Sequence, residues 1–284
     1  MLYVPGNRQD MCRKAVQSPA DAVVLDLEDG VPPAEKQTAC RLVKSYLSEL
    51  AQSGKKAFVR INPLSSGLTQ AELEELVGPG LEGVSLPKIN SANEVQVIAS
   101  WVSALEKERG MELGQVKFIP WVETALGVLN AYNIACASPR IVGVALGGDD
   151  LTRDMDIVRS QDGMELLYPR AHVALAAIAA GVAPLDTPYT GFEDEAGLIR
   201  EARLARQLGF QGKIVIHPSQ IEPVNRIFSP SHEEVAEAKR VVAAFDEAVS
   251  RGSAVATVEG KMVDTPVAER ARRLLALADA IAKK

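Results

Sequence analysis

Eight times along the chain a short apolar run gives way to a stretch with helical, amphipathic spacing, and this alternation limits the fold more than any other feature. The runs are residues 2–4, 22–28 (AVVLDLE), 56–62 (KAFVRIN), 83–88 (GVSLPK), 116–123 (VKFIPWVE), 141–150 (IVGVALGGDD), 182–189 (VAPLDTPY) and 213–217 (KIVIH). Helices are expected over 9–17, from Pro32-Pro33 to 50, 70–77, from Ser91 or Asn93 to about 109, 125–137, 166–180, 194–208 and 219–228. Runs this apolar read as strands buried on both faces, which belong to parallel sheets covered by helices. Alternation of strand and helix demands right-handed crossovers, and eight units is the number that closes a (β/α)8 TIM barrel. An open, doubly wound sheet is the alternative, since periodicity does not itself show closure.

After residue 228 the pattern changes. A helix over 233–249, an irregular or hairpin-like strand segment over 254–264 (AVATVEGKMVD) and a last helix from Pro266 to about 282 do not form a ninth unit. The expected organisation is therefore a barrel domain over 1–228 and a C-terminal helical and flap extension over 229–284, which covers the barrel mouth or reaches a neighbouring subunit.

The apolar runs end in polar groups: Asn7, Asp26/Glu28/Asp29, Arg60 and Asn62, Lys88, Glu123, Asp149/Asp150, Asp186 and His217. In a parallel barrel this end carries the active site. Glu123 and Asp150 follow consecutive strands, so their tips are expected about one strand spacing, roughly 5 Å, apart. Two carboxylates at that distance suit a hard divalent cation such as Mg²⁺, which keeps water and takes its other ligands from the substrate. The plainer alternative is that each acid caps the helix after it. Gly147-Gly148 beside them lets substrate approach the backbone, although GVALGGDD lacks the spacing of a dinucleotide loop. No His or Cys stands at zinc spacing.

Arg60 is suited to hold a carboxylate or a developing enolate oxygen, or equally to form a salt bridge to the Asp26/Glu28/Asp29 group. Lys88 is read as a snorkelling surface lysine or an ion-pair partner in preference to a Schiff-base amine, and His217 as a packed or hydrogen-bonded imidazole. The three cysteines, Cys12, Cys40 and Cys136, lie in helical stretches and are read as small buried apolar residues. The net charge of −6 and scattered cations argue against a nucleic-acid surface. No apolar run approaches the roughly 20 residues of a membrane span, and an N-terminus that enters a strand pattern without a basic region points to the cytoplasm.

Taken together, LYVPGN (2–7), AVVLDLEDGV (22–31), VRIN (59–62), LPK (86–88), WVETALGVLN (121–130), GGDDL (147–151), GFQGKIVIHPSQI (209–221) and FSPS (228–231) resemble the HpcH/HpaI aldolase and citrate lyase beta-subunit family, in its acyl-CoA lyase branch. GGDDL departs from the more usual GAEDL or GGEDF but keeps its last Asp. The resemblance implies a (β/α)8 barrel, Mg²⁺ on Glu123 and Asp150, and Arg60 facing an enolate. It implies cleavage of a 3-hydroxyacyl thioester (citryl-, citramalyl- or malyl-CoA) to acetyl-CoA and a 2-oxo acid. Asp29 or Glu28 is expected to order a water at the cation, and Asn7, Lys88, Gly147 and Gly148 to line the substrate. Asp264, in KMVDTP, is expected to serve a neighbouring subunit's site within a homotrimer or hexamer. The alternative within the family is a citrate lyase beta subunit that acts on citryl carried by an acyl carrier protein inside a multi-subunit complex.

Overall fold

A computed structural model describes residues 1–160 and 162–283. In it the chain divides into two compact units, Met1–Val224 and Asn225–Lys284.

The first unit alternates strand and helix. Its elements are β1 (Leu2–Pro5), α1 (Gln9–Val16), β2 (Ala22–Asp26), α2 (Lys36–Gln52), β3 (Lys56–Arg60), α3 (Thr69–Leu76), β4 (Gly83–Leu86), α4 (Ala92–Glu108), β5 (Lys117–Val122), α5 (Ala125–Leu129) and α6 (Ala131–Ala135). They continue as β6 (Gly143–Leu146), α7 (Gly148–Asp154), α8 (Leu167–Ala179), β7 (Ala183–Asp186), α9 (Glu195–Gln207), β8 (Gly212–Lys213) and α10 (Ile221–Phe228), which runs into the second unit. Among the described residues the eight strands form one sheet in sequence order, every neighbouring pair parallel. The α/β class expected from the alternation is therefore present. Beyond β8, Val215 makes a parallel bridge to Leu2, with Tyr3 N donating to Val215 O and Val215 N to Met1 O, each at 2.9 Å.

Strand side chains alternate between two faces. One face carries a buried cluster of Tyr3, Ala22, Val24, Phe58, Ile119, Trp121, Ala145 and Ile214. Continuing the same alternation toward the strands' C-terminal ends gives Asp26 after Ala22 and Val24, Arg60 after Phe58, and Glu123 after Ile119 and Trp121. The polar ends are thus the last members of the face that builds the apolar interior. Inside it, Ser85 Oγ lies 2.9 Å from Tyr3 Oη and accepts from Trp121 Nε1 at 2.6 Å, so the polar tips of both aromatics are satisfied.

Four expectations need correction. Helix 125–137 is broken at Asn130 into α5 and α6. The eighth strand is only two residues, Gly212–Lys213, and 214–216 follow as a single bridge, because Pro218 at once begins a short 3₁₀ turn. Asp149 and Asp150 do not end a strand but stand in the first turn of α7, a helix the apolar run concealed. Cys12 and Cys40 are buried as expected, but Cys136, just past the end of α6, is exposed.

The second unit contains α11 (His232–Ser250), the antiparallel pair β9 (Ala256–Val258) and β10 (Lys261–Val263), and α12 (Thr265–Ala282). Its own core is Ala238, Val241, Phe245, Val263, Ala268 and Ala271. Ser231 and Glu234 form a reciprocal capping box that starts α11. No helix among the described residues is long and apolar enough to cross a membrane.

Candidate active site

Asp26 organises one side of the strand ends. It stands opposite Arg60 in the β2/β3 register, and its carboxylate accepts from Arg60 Nε at 2.6 Å and Nη2 at 2.7 Å. The same two oxygens accept from the backbone N–H of Glu28 and Gly30, each at 2.9 Å. A bidentate Arg–carboxylate pair with these extra donors is the strong form of ion pair and fixes the guanidinium plane. Arg60 Nη1 lies 3.2 Å from Glu28 Oε2, and the guanidinium sits 5.4 Å from the Tyr3 ring and 5.6 Å from the Trp121 ring. Burial opposes its charge, but Asp26 and Glu28 outweigh burial and hold its pKa above the ordinary arginine range. Of the two roles open to Arg60, the salt bridge is present.

Lys88 follows β4 with φ of 55°, a left-handed conformation that is uncommon outside glycine. Its N–H donates to Glu123 Oε1 at 2.6 Å, which repays part of that strain. Its ammonium pairs with Glu28 and lies 3.4 Å from Asp29. Burial favours the neutral amine, yet Glu28 and Asp29 raise the pKa, so the amine is protonated and unsuited to Schiff-base attack.

Glu123 is 1% exposed. Its Oε1 accepts from Lys88, while its Oε2 is buried with no hydrogen-bond partner. Burial first, and Asp150 second, push its pKa up to about 8, even though Arg60 pulls the other way. Gly147 is required beside it: a Cβ there would collide with Glu123 Oε2 and lie 2.5 Å from Glu123 Cβ. Asp150 pairs with Arg153 one turn on, and Gly148 N donates to Thr187 Oγ1 at 2.8 Å, tying the start of α7 to the end of β7.

A cavity of about 410 Å³ opens over these ends, its wall including Tyr3, Asp26, Asp29, Arg60, Trp121, Gly147, Gly148, Asp149, Asp150, Thr187 and Ile216. Glu28, Lys88 and Glu123 touch wall residues or their neighbours but are not part of the wall. Asn7 is also outside it, its amide donating to Glu35 Oε2 at 2.7 Å. Asp264 lies in the second unit, where its carboxylate caps α12 by accepting from Val267 N at 3.2 Å. Asp149 was read from the sequence only as a run end paired with Asp150, and Thr187 had no distinguishing signal, since its position depends on the loop after β7.

Residues 1–218 match the family described as HpcH/HpaI aldolase/citrate lyase. The chain belongs to this family. Among family relatives it is 41% identical over 280 residues to the citrate lyase subunit beta of Leuconostoc mesenteroides subsp. cremoris, covering 99% of this chain and 93% of that one. It is 36% identical over 295 residues to the mitochondrial citramalyl-CoA lyase of Homo sapiens, covering 100% and 86%. The crystal structure of protein CitE from Mycobacterium tuberculosis, in complex with magnesium, acetoacetate and coenzyme A, superposes with a TM-score of 0.80 at 34% identity, covering 98% of this chain and 97% of that one. A citrate lyase beta subunit from M. tuberculosis complexed with oxaloacetate and magnesium gives 0.69 at 33% identity, over 81% and 96%.

Proposed function

We propose that the chain is a Mg²⁺-dependent carbon–carbon lyase that cleaves a 3-hydroxyacyl thioester of the citryl-, citramalyl- or malyl-CoA type to acetyl-CoA and a 2-oxo acid. The observation that carries this reading is the orphaned Glu123 Oε2, buried beside Asp150 at the edge of a cavity that also contains a fixed guanidinium. A buried carboxylate oxygen without a donor costs on the order of 1–3 kcal/mol or more, and a cation between two acids removes that cost. The donor set fits a hard ion: carboxylate oxygens, with no His or Cys ligand, and room for water and substrate. Among the described residues no three His, Cys, Asp or Glu side chains gather as a cage, so Glu123 and Asp150 would hold Mg²⁺ with positions left open. When bound, the ion supplies positive charge that lowers the pKa of a hydroxyl and steadies a forming 2-oxo acid.

The chain's own residues supply the rest. Arg60 gives two of its five N–H groups to Asp26 and sets Nη1 3.2 Å from Glu28, leaving the others to face a thioester oxygen as it gains enolate charge. Asp26 keeps that guanidinium from rotating, and the Tyr3–Ser85–Trp121 group below it keeps water out. Asp29 or Glu28, both held by Lys88, orders a water at the mouth. Gly147 and Gly148 admit the substrate to the backbone, and Asn7 and Lys88 contribute to its outer contacts. Asp264 from a neighbouring copy moves a proton to or from the acetyl carbon.

The finer architecture belongs to the same reading. Closure of the sheet into a barrel is supported by the two hydrogen bonds that Val215 makes with Met1 and Tyr3 and by the shared interior cluster. The C-terminal extension then contacts a neighbour in a homotrimer or hexamer of the cytoplasm. Self-association is supported by large apolar side chains left exposed on α5, α6 and α8, including Leu126, Leu129, Tyr132, Tyr168 and Leu175.

The likeness to citrate lyase beta subunits favours a second reading, action on citryl-acyl carrier protein within a multi-subunit complex. Assay of the purified chain alone against free citryl-, citramalyl- and malyl-CoA, with and without EDTA, tests both. Turnover of a free thioester that EDTA abolishes and Mg²⁺ restores is expected. Turnover only with a carrier protein and partner subunits favours the second reading, and EDTA-insensitive turnover overturns the cation.

A further inference from the structure

Arg159 stands between α7 and α8 with 16% of its side chain exposed. It reaches two helices, α7 and α9, and the loop after β7 at once. Nη1 donates to Asp149 Oδ1 at 2.9 Å; Nη2 donates to Glu201 Oε2 at 3.0 Å and to the Pro188 carbonyl at 3.2 Å. Glu201 is anchored from behind by Lys213 at 2.6 Å and Arg170 at 3.0 Å, and both of those cations also bind the buried Asp186. The back of Arg159 is thus bolted to a buried ionic cluster. Its front holds a carboxylate that is half exposed on the cavity and adjacent in sequence to Asp150.

Without that contact the cavity would contain a third acid free to turn toward a cation beside Glu123 and Asp150. Such an acid would bind the cation more tightly, but it would occupy a position that an anionic substrate needs and cancel the charge that attracts it. We propose that Arg159 is a positioning residue that holds the Asp149 carboxylate off the cation site, leaving two carboxylates and open positions for a substrate carboxylate. The inference rests on the reading of Glu123 and Asp150 as cation ligands.

The test is a Mn²⁺ titration followed by electron paramagnetic resonance, on the full chain without substrate, together with KM for the thioester that the wild type cleaves. Arg159→Gln is expected to bind Mn²⁺ about tenfold tighter and to raise KM by about tenfold. Adding Asp149→Asn to Arg159→Gln is expected to return Mn²⁺ affinity to within about twofold of wild type, because the freed acid is gone. An Arg159→Gln protein with lower thermal stability and unchanged Mn²⁺ affinity makes Arg159 a structural part of the buried cluster and overturns the proposal. Tighter binding that persists in the double variant overturns it too. If Arg159→Gln does not fold, Arg159→Lys, which keeps a charge near Glu201 but loses the planar fork, must show tightening in the same direction, and unchanged affinity there is equally fatal. A wild type that binds no Mn²⁺ is a different result: it removes the Glu123/Asp150 reading itself.

Discussion

Arg60 and Glu123 both stand at the strand ends but differ in what serves them. Arg60 is neutralised within its own neighbourhood, by Asp26 and Glu28, whereas Glu123 keeps one oxygen unserved. Substitutions at the two should therefore separate. Glu123→Gln removes a carboxylate whose ionised form is disfavoured by burial and by Asp150, so its thermal stability is expected to hold or rise slightly while Mn²⁺ affinity falls by at least about a hundredfold. Retained Mn²⁺ binding in that variant would remove Glu123 as a ligand. Arg60→Lys keeps the charge but loses the bidentate contact and the spare N–H groups. A drop in kcat of about a hundredfold or more is expected, with Mn²⁺ affinity within about twofold. Unchanged kcat would leave Arg60 as a salt bridge and nothing further. These residues were legible in the sequence because each ends an apolar run in phase with the inward face. The salt bridge to the Asp26/Glu28/Asp29 group was equally legible, since β2 and β3 are consecutive.

At the scale of elements, the ionic cluster of Asp186, Glu201, Arg170, Lys213 and Arg159 joins β7, β8, α8 and α9 behind the cavity. Burial alone would raise the Glu201 pKa, but Lys213 and Arg170 outweigh it and hold it at about 2. A depressed carboxylate pKa contributes stability that is complete above the unfolded value near 4.5 and is lost as pH falls toward 2. Glu201→Gln is thus expected to cost on the order of 3 kcal/mol near neutral pH, with the gap to wild type narrowing below about pH 4.5 in chemical denaturation. A gap independent of pH would mean that the loss is one of packing. Of this cluster only Asp186 stood out in the sequence, as a run end; Glu201 and Arg170 read there as ordinary helix residues. A more local device was half readable: of the two starts the sequence offered, Ser91 and Asn93, it is Ser91 that caps α4, reciprocally with Glu94, and Ser91→Ala should cost about 1 kcal/mol.

For the molecule as a whole, the strongest expectation concerns association. Leu129, Tyr132, Tyr168 and Leu175 are each more than half exposed, an unusual number of large apolar groups on neighbouring helices of one face. If copies of the chain cover them, Leu129→Glu together with Leu175→Glu should shift the particle toward monomer in sedimentation while leaving far-ultraviolet circular dichroism unchanged. A wild type that sediments as a monomer would refute the homotrimer and remove the route by which Asp264 reaches a site.

Strand–helix alternation, the phase of the apolar residues and the acids and cation at the run ends are local properties, written in spacings of two and three to four residues, and they determined the α/β class and nearly the whole set of site candidates. Tertiary structure alone decided which of those groups are satisfied and which are left wanting. Asp150 could be read as a strand end until α7 appeared, because a seven-residue helix behind an apolar run has too little periodicity to announce itself. The pairing of Arg159 with Asp149 and Glu201 spans 10 and 42 residues, and no local pattern encodes contacts made across such separations.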